Sequence, residues 1–551
     1  MRSITDEDEQ RYRRAQQEFI SNLGGSAPQE IIIVNLPSIL TILFLSTITS
    51  VLSNKTLINN KVVRNFLPIV EFIITIIPSI LSLTILSDYT LILTLVIIIS
   101  IVINYSIIYK FRSKLSVNIN NNLNNCKNSG RKNFLTNFRA LTNILTCICI
   151  LAVDFKIFPR KFAKTEIYGY SLMDAGVGMF IIANAIVSPQ TKDFTSNSNN
   201  SNKHLRVIRK FALNAKKCTK DTAPLLILGI GRILAVEYSD YQKHVSEYGV
   251  HWNFFLTLAF VKIFISTITS AISSRFALIS GLWILVMHEY ALNTKGLKEW
   301  LLGDTPRNDF VSANREGIVS VPGYVGLYLI GIALGRLIYS TYDNSEDNNG
   351  NYGLMKRFGV NMMLFGRKVS FEYTKAMVLC VKLSIIAPQA CGLAILNNWL
   401  FGVSRRMANF GYCAWVVTLS TILLTLLLLV EILIDILIFT VTDSSKEADK
   451  SKDSAKKKRK NIKFDDKFMN DCSNKNISEE INLKCPTIFQ AVNYNGLIFF
   501  LISNLLTGIV NLRIKTLYVD EYNAIFLICS YVAICIFSVL ILYRYNIKLK
   551  L

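Results

Sequence analysis

The densest run of chemically active side chains lies between residues 154 and 166, Asp-Phe-Lys-Ile-Phe-Pro-Arg-Lys-Phe-Ala-Lys-Thr-Glu, set between two apolar segments. Asp154 closes the first of these, where burial raises a carboxyl pKa toward the working pH and suits the group to act as general base on a hydroxyl. Lys164 supplies a cation able to stabilise negative charge developing on a carbonyl oxygen. Pro159 is well placed to start a short helix, because the N–H it lacks has no partner at the first helical position. Four-residue spacing then puts Arg160 and Lys164 on one face, with Lys161 beside them. Phe155, Phe158 and Phe162 make an apolar side suited to lie against the acyl boundary. Such a segment would receive an anionic lipid headgroup, with Arg160 and Lys161 on its phosphate. A plain ion pair between Asp154 and Lys164, anchoring a helix end at the interface, uses the same residues, and residue chemistry alone leaves both readings open.

The elements that must position this stretch are membrane helices. The chain has 551 residues, 51% of them hydrophobic, and apolar runs of about 20 residues recur along it, the length that crosses about 30 Å of hydrocarbon. Run length places about thirteen spans, near 31–53, 66–87, 89–109, 138–153, 171–188, 222–238, 253–271, 275–292, 321–341, 373–403, 410–440, 494–513 and 522–543. The expected fold is therefore all-α, a polytopic membrane protein in one bundle. Pro388 and Gly392 interrupt the tenth span, which is either one kinked helix or two short ones. Residues 1–30 read as an N-terminal tail, 31–440 as the bundle with the Asp154 loop, 441–493 as a basic loop, and 494–551 as the last two spans with a short tail. Asp6, Glu7, Asp8 and Glu9 stand where a signal peptide would be basic, so none is expected.

The formal net charge of +22 does not point to nucleic acid, because the cations are dealt into loops. With loops numbered alternately, one side holds roughly 37 Lys and Arg and the other roughly 17, which makes the first side cytosolic. The N-terminus and the Asp154 loop then face the lumen or exterior, and the sequons at Asn54, Asn199 and Asn476 fall on the cytosolic side. The stretches 118–133, 196–202 and 444–480, rich in Asn, Ser and Lys, read as spacers. The eleven cysteines sit mostly in apolar runs without a Cys-x-x-Cys pair, so neither a disulfide framework nor a zinc site is indicated.

Further ionisable groups fall inside spans: Asp174, Arg232, Glu237, His288, Glu289, Arg336, Lys382, Glu431 and Asp435. Asp174 and Arg232 lie near Gly176, Gly178, Gly229 and Gly231, whose small size allows close approach of backbone or ligand, although a packing ion pair explains them as well. His288-Glu289 begins like a zincin motif, but Leu292 occupies the second histidine position. No Walker lysine motif or Gly-x-Gly-x-x-Gly occurs, and none of the four histidines precedes an aspartate at the spacing of the glycerolipid acyltransferases. No metal or cofactor is expected. A lipid or small-molecule transporter is the rival class, but transporters centre their chemistry at the midplane, whereas here it sits at an interface.

Five blocks resemble the inositol acyltransferases of glycosylphosphatidylinositol (GPI) anchor synthesis, the family of the fungal GPI-anchored wall transfer proteins and animal PIG-W. They are Ile-Leu-Ala-Val-Asp-Phe from Ile150, Pro-Arg-Lys-Phe-Ala-Lys-Thr-Glu from Pro159, Tyr-Gly-Tyr-Ser-Leu-Met-Asp-Ala-Gly-Val-Gly from Tyr168, Arg-Glu-Gly-Ile-Val-Ser-Val-Pro-Gly-Tyr from Arg315, and Asn-Leu-Leu-Thr-Gly-Ile-Val-Asn-Leu from Asn504. They spread along most of the chain, and the Asn-rich and Lys-rich loops depart from the pattern. The resemblance implies a multi-pass enzyme of the endoplasmic reticulum membrane that moves a fatty acyl group, usually palmitoyl, from acyl-CoA as co-substrate to the inositol 2-hydroxyl of glucosaminyl-phosphatidylinositol. It implies Asp154 and Lys164 as the catalytic pair. Around them, Arg160, Lys161, Phe155, Glu166, Asp174, Arg232, Arg315 and Asn504 are the expected substrate-binding residues. Arg315, with Glu316 and Gly317, either lines the pocket or fixes its own loop by a salt bridge. Asn504 and Asn511, two turns apart, either meet a polar headgroup or join helices.

Overall fold

The computed structural model describes residues 2–19, 21, 23–52, 61–110, 132–192, 203–238, 245–294, 296–303, 305–343, 358–364, 367–456 and 484–549. The fold is an all-α polytopic membrane bundle. Among the described residues, eleven helices are long and apolar enough to cross a membrane.

The chain runs back and forth between two faces. An N-terminal helix α1 (Arg2–Phe19) precedes α2 (Pro28–Leu52), which descends from the face that carries the Asp154 loop; α3 (61–83, with a π-helical turn at Phe72–Ile76) returns, and α4 (Thr90–Lys110) descends again. The next four are α5 (Asn133–Ala152), α6 (Leu172–Ala185), α7 (Lys203–Tyr238) and the single turn α8 (Val245–Tyr248). Then come α9 (Phe254–Ala271), α10 (Ala277–Thr294), the short α11 (Leu297–Leu302) and α12 (Phe310–Ala313), and the long α13 (Arg315–Asp343). An antiparallel hairpin, β1 (Phe358–Leu364) and β2 (Arg367–Tyr373), pairs Phe358 with Tyr373 and Leu364 with Arg367. The last helices are α14 (Lys375–Leu400), α15 (Phe410–Lys456), α16 (Thr487–Tyr494), α17 (Gly496–Arg513) and α18 (Glu521–Arg544).

Several sequence expectations change. Of the thirteen expected spans, two are helices outside the eleven: α6 has only 14 residues, and the apolar half of α7 follows a strongly basic first half. The tenth span is one continuous helix with Pro388 inside it. The missing proline N–H costs that helix one hydrogen bond without ending it, as spans within a packed bundle tolerate. Helix α15 continues to Lys456, past residue 440 where its apolar run stops. The hairpin was not foreseen, because its strands are far shorter than a span. Residues 118–131, 196–202 and 457–480 of the expected spacers lie outside the described residues, as do the sequons at Asn54, Asn199 and Asn476.

In lipid, helices gain little by hiding apolar surface from one another, so close packing and polar contacts must hold them together. At the α10–α13 crossing, a Cβ built on Gly281 would stand 2.9 Å from the Gly326 carbonyl oxygen, and one on Gly326 would stand 3.1 Å from that of Gly281. Only glycine on both helices permits that approach. The face opposite the Asp154 loop is tied by acids. Buried Glu71 accepts from the Thr487 and Ile488 amides at 3.0 and 2.9 Å, capping α16. Glu431 accepts from the Phe134 amide at 3.1 Å, and Lys484 pairs with both Glu431 and Asp435. By contrast, α4 turns Leu91, Ile92, Leu95, Val96, Ile99, Val102 and Ile103 outward, an apolar stripe suited to acyl chains.

Candidate functional site

The Asp154 loop is fastened from below by its aromatic residues. Phe155, Phe158 and Phe162 are 0%, 0% and 1% exposed. Burying each of three such rings is worth about 1.5–3 kcal/mol, which overrides the expected placement against the acyl boundary. It also overrides the expected helix. Pro159 is extended (φ −60°, ψ 124°) and starts only the 3-10 turn Arg160–Phe162, after which Ala163 is extended again. Arg160 and Lys164 therefore do not share a helical face. The loop is stitched to its neighbours through its backbone: Ser26 donates to the Tyr170 carbonyl at 2.7 Å, Glu166 to that of Leu23 at 3.3 Å, and Gly169 to that of Val403 at 2.9 Å. Gly25 (φ +85°) and Gly169 (φ +133°) supply the left-handed backbone at this seam, where a Cβ on Gly169 would stand 2.6 Å from the Gly24 oxygen.

The charged side chains then separate into distinct pairs. Asp154 Oδ2 accepts from Asn511 Nδ2 on α17 at 2.8 Å. Arg160 folds back, its Nη2 donating to the Val153 carbonyl at 2.6 Å and its guanidinium lying 3.9 Å from the Phe19 ring centroid. Burial draws the Arg160 pKa down to about 10 against the opposing pull of Asp154. Lys161 reaches Asp88 at 3.0 Å and Glu30 at 3.3 Å. Lys164 Nζ donates to both oxygens of Glu247 on α8, at 2.8 and 2.9 Å.

Asp174, buried at the first turn of α6, joins three segments. Ser171 caps the helix and accepts from the Asp174 amide at 3.0 Å. Asp174 Oδ2 accepts from the Thr165 amide and hydroxyl at 3.0 and 2.6 Å, while Oδ1 accepts from Arg405 Nε at 2.6 Å. Tyr412 donates to the Asp174 carbonyl at 2.8 Å. Tyr248, whose ring lies beneath the Arg405 guanidinium, has its pKa pushed up to about 12 by burial. Asp174 thus positions Lys164 through its chain neighbour Thr165.

A second polar group lies on the same face. Glu316, with 0% side-chain exposure, pairs with Arg307 at 2.6 Å, Arg406 at 2.9 Å and Arg315 at 3.6 Å. The Glu316 hydrogen bond outweighs burial and raises the Arg307 pKa. Arg315 also donates to the Gly303 carbonyl at 2.5 Å and to Thr305 Oγ1, and so fixes its own loop. Between the two groups run the residues after α8: the Val250 amide donates to the Ala313 carbonyl at 2.9 Å, and Asn314 Oδ1 accepts from the His251 and Trp252 amides.

Of the expected site residues, Asp154, Arg160, Lys161, Lys164, Asp174 and Arg315 gather on this face. Phe155 is core, Glu166 and Arg232 are exposed, and Asn504 donates to the Phe500 carbonyl of its own helix at 2.7 Å. His288 Nε2 meets the Met407 carbonyl at 2.9 Å, and Glu289 accepts from the Phe410 amide at 2.9 Å, so both serve the 401–409 loop. Sequence reasoning missed Glu247, Arg307, Arg405 and Arg406. The Arg405-Arg406 pair between two long apolar runs was the available signal. Inside the bundle, between α2, α5, α6 and α15, a narrow and mostly apolar pocket is lined by Asn35, Ser38, Phe138, Leu141, Met179 and Leu427, among others. Among the described residues, no three His, Cys, Asp or Glu side chains gather as metal ligands.

Fold and site together define a multi-pass membrane protein with a rigid polar cap on one face, built around an aspartate, a lysine and their fixed partners. The GWT1 family model matches residues 12–542, and the chain belongs to that family. It is 32% identical to GPI-anchored wall transfer protein 1 of Aspergillus oryzae, over 76% of this chain and 73% of the other. It is 33% identical to the protein of the same name from Candida glabrata, over 76% of each chain. An uncharacterised protein of Arabidopsis thaliana is 31% identical over 72% of this chain and 70% of its own.

Proposed function

We propose that this protein is a transferase of GPI-anchor biosynthesis, resident in the endoplasmic reticulum membrane. In this reading it moves a fatty acyl group from acyl-CoA to the inositol 2-hydroxyl of glucosaminyl-phosphatidylinositol. The observation that carries the reading is the way the Asp154–Lys164 loop is held. Three buried phenylalanines anchor it, and each of the two reactive side chains has a fixed partner from a distant helix, the preorganisation that a catalytic site requires. Family membership and the names of the relatives support its coarser part, a role in GPI-anchor biosynthesis.

The proposed reaction needs little activation, because a thioester is already reactive. Asp154 accepts the proton of the 2-hydroxyl as its oxygen attacks the thioester carbonyl carbon, and Asn511 keeps the carboxylate turned toward that hydroxyl. The Lys164 ammonium has three N–H donors. Two lie on Glu247, and the third stabilises the oxyanion. Collapse breaks the C–S bond, CoA leaves as thiolate, and the proton on Asp154 passes to it. The ester product and free CoA balance the step.

The test is acyl transfer from labelled palmitoyl-CoA to glucosaminyl-phosphatidylinositol by the purified protein. Asp154→Ala and Lys164→Ala are each expected to lower kcat by at least about 10²-fold at normal expression. Full activity in both variants would overturn the mechanism, and no product from wild type would overturn the activity.

A further inference from the structure

We infer that Arg406 and Arg307, gathered on Glu316, form the binding site for a phosphodiester monoanion, the phosphate of the glycolipid acceptor; this rests on the acyl-transfer reading for the identity of the lipid. Three guanidinium groups, those of Arg307, Arg315 and Arg406, meet one carboxylate. Three positive charges against one negative leave a surplus of two among the groups in contact. The cluster is sheltered, with side-chain exposures of 25% for Arg307, 3% for Arg315, 11% for Arg406 and 0% for Glu316. Sheltered charge without compensation is costly, so the cluster is built for an added anion.

The three arginines are not equivalent. Arg315 is engaged with Gly303, Thr305 and the Trp300 ring. Arg406 donates through Nη2 to Glu316, and its Nε is buried without a hydrogen-bond partner among the described residues. Arg307 grips Glu316 with its fork, Nη2 to Oε1 at 2.6 Å and Nη1 to Oε2 at 3.1 Å, and so adds its charge beside Arg406 while Arg406 supplies the open donor. A phosphodiester offers paired oxygens at the spacing of a guanidinium fork and one negative charge. Of the two that the sequence nominated for this role, Lys161 is paired with Asp88 and Glu30, and Arg160 is folded back on the Val153 carbonyl and the Phe19 ring, though its Nη1 is likewise buried without a hydrogen-bond partner among the described residues.

Position also favours Arg406. Its neighbour Arg405 is bonded to Asp174, and Asp174 to Thr165, next to Lys164. An anion on Arg406 would therefore be held on the same rigid frame as the proposed reacting centre.

The experiment uses the full-length protein in detergent, with two readouts. One is direct binding of glucosaminyl-phosphatidylinositol and of an analogue whose phosphodiester is replaced by a neutral linker; the other is the apparent KM for each substrate. Wild type should bind the natural lipid at least about tenfold more tightly than the neutral analogue, the size of a charge-assisted hydrogen bond. Arg406→Gln should remove that preference and raise the KM for the glycolipid about tenfold or more, with the KM for acyl-CoA unchanged, and Arg406→Lys should fall between. Equal wild-type binding of the two lipids would overturn the proposal without any variant, as would a preference abolished by Arg160→Gln and untouched in Arg406→Gln and Arg406→Lys. Wild type that shows the binding preference and transfers no acyl group would count against the acyl-transfer reading alone, and Arg406→Gln that keeps the preference would overturn the phosphate site alone.

Discussion

Replacing Asp174 with asparagine keeps the side chain's shape and removes one acceptor and one charge. In the native site, Oδ2 serves the Thr165 amide and hydroxyl at 3.0 and 2.6 Å, and Oδ1 serves Arg405 Nε at 2.6 Å. An amide has a single acceptor oxygen. Turned toward Thr165, it presents its NH2 to the Arg405 guanidinium, donor against donor; turned the other way, it strands the Thr165 amide. Both Asp174 and Arg405 side chains are 3% exposed, so water does not substitute. Stranding the partner of a buried pair costs about 3–5 kcal/mol. Thr165 is also the tether of Lys164, and a displacement of about 1 Å at a reacting group costs roughly 10²-fold in rate. Asp174→Asn should therefore unfold at a lower temperature than wild type and lose most of its turnover. Adding Arg405→Met removes the stranded cation, so the double variant should regain part of the thermal stability, with a coupling of about 0.5–3 kcal/mol, and none of the turnover. Thermal unfolding in detergent and acyl transfer on the same preparations provide the measurements. An Asp174→Asn protein that melts with wild type, or a double variant that melts below the sum of the two single effects, would refute the reasoning.

Asn511→Leu removes the donor that orients Asp154 and should lower kcat about 10- to 100-fold, the range for a hydrogen bond to a charged group, whereas Asn504→Leu, which loses only a bond within its own helix, should stay near wild type; equal losses would show that the Asp154 contact does not matter. A Cβ on Gly323 would overlap the carbonyl oxygen of Ala408, whereas one on Gly508 meets nothing within 4 Å. Gly323→Ala should therefore cost about 1–3 kcal/mol by overpacking and lower the unfolding temperature, with Gly508→Ala as an unaffected control.

The bundle was legible because membrane spans are coded locally. A run of apolar residues as long as the hydrocarbon is thick can do little else, so eleven helices follow their runs closely, and α14 crosses whole despite Pro388. The signal weakened where length or charge was marginal, at the 14-residue α6 and the half-basic α7. The Asp154 loop was legible for a similar reason, since so many reactive residues rarely stand together at a span's end. Its conformation was not. Pro159 and the spacing of the cations favour a helix locally, and the burial of Phe155, Phe158 and Phe162 decides otherwise. The partners were hidden entirely. Glu247 is 83 positions from Lys164, Arg405 is 231 from Asp174 and Asn511 is 357 from Asp154. No periodicity links residues so far apart, because only the crossing order of the helices brings them together. Arg315 was left between pocket and loop-fixing roles, and in the structure it bonds Gly303 and Thr305 in the preceding loop while standing 3.6 Å from Glu316.

The same separations govern how the protein is made. Asp174 enters the growing bundle with α6, and Arg405 leaves the ribosome 231 residues later, which at about 5–20 residues per second is a delay of roughly 10–50 s. Asp154 waits longer still for Asn511. Throughout that interval the nascent chain holds a carboxylate at a helix start without its cation, and the seam of the Lys164 loop lacks its bond from Gly169 to Val403. A chain stalled or truncated before the 401–409 loop thus inserts most of its helices and still lacks the clasp that Arg405 and Tyr412 close on Asp174.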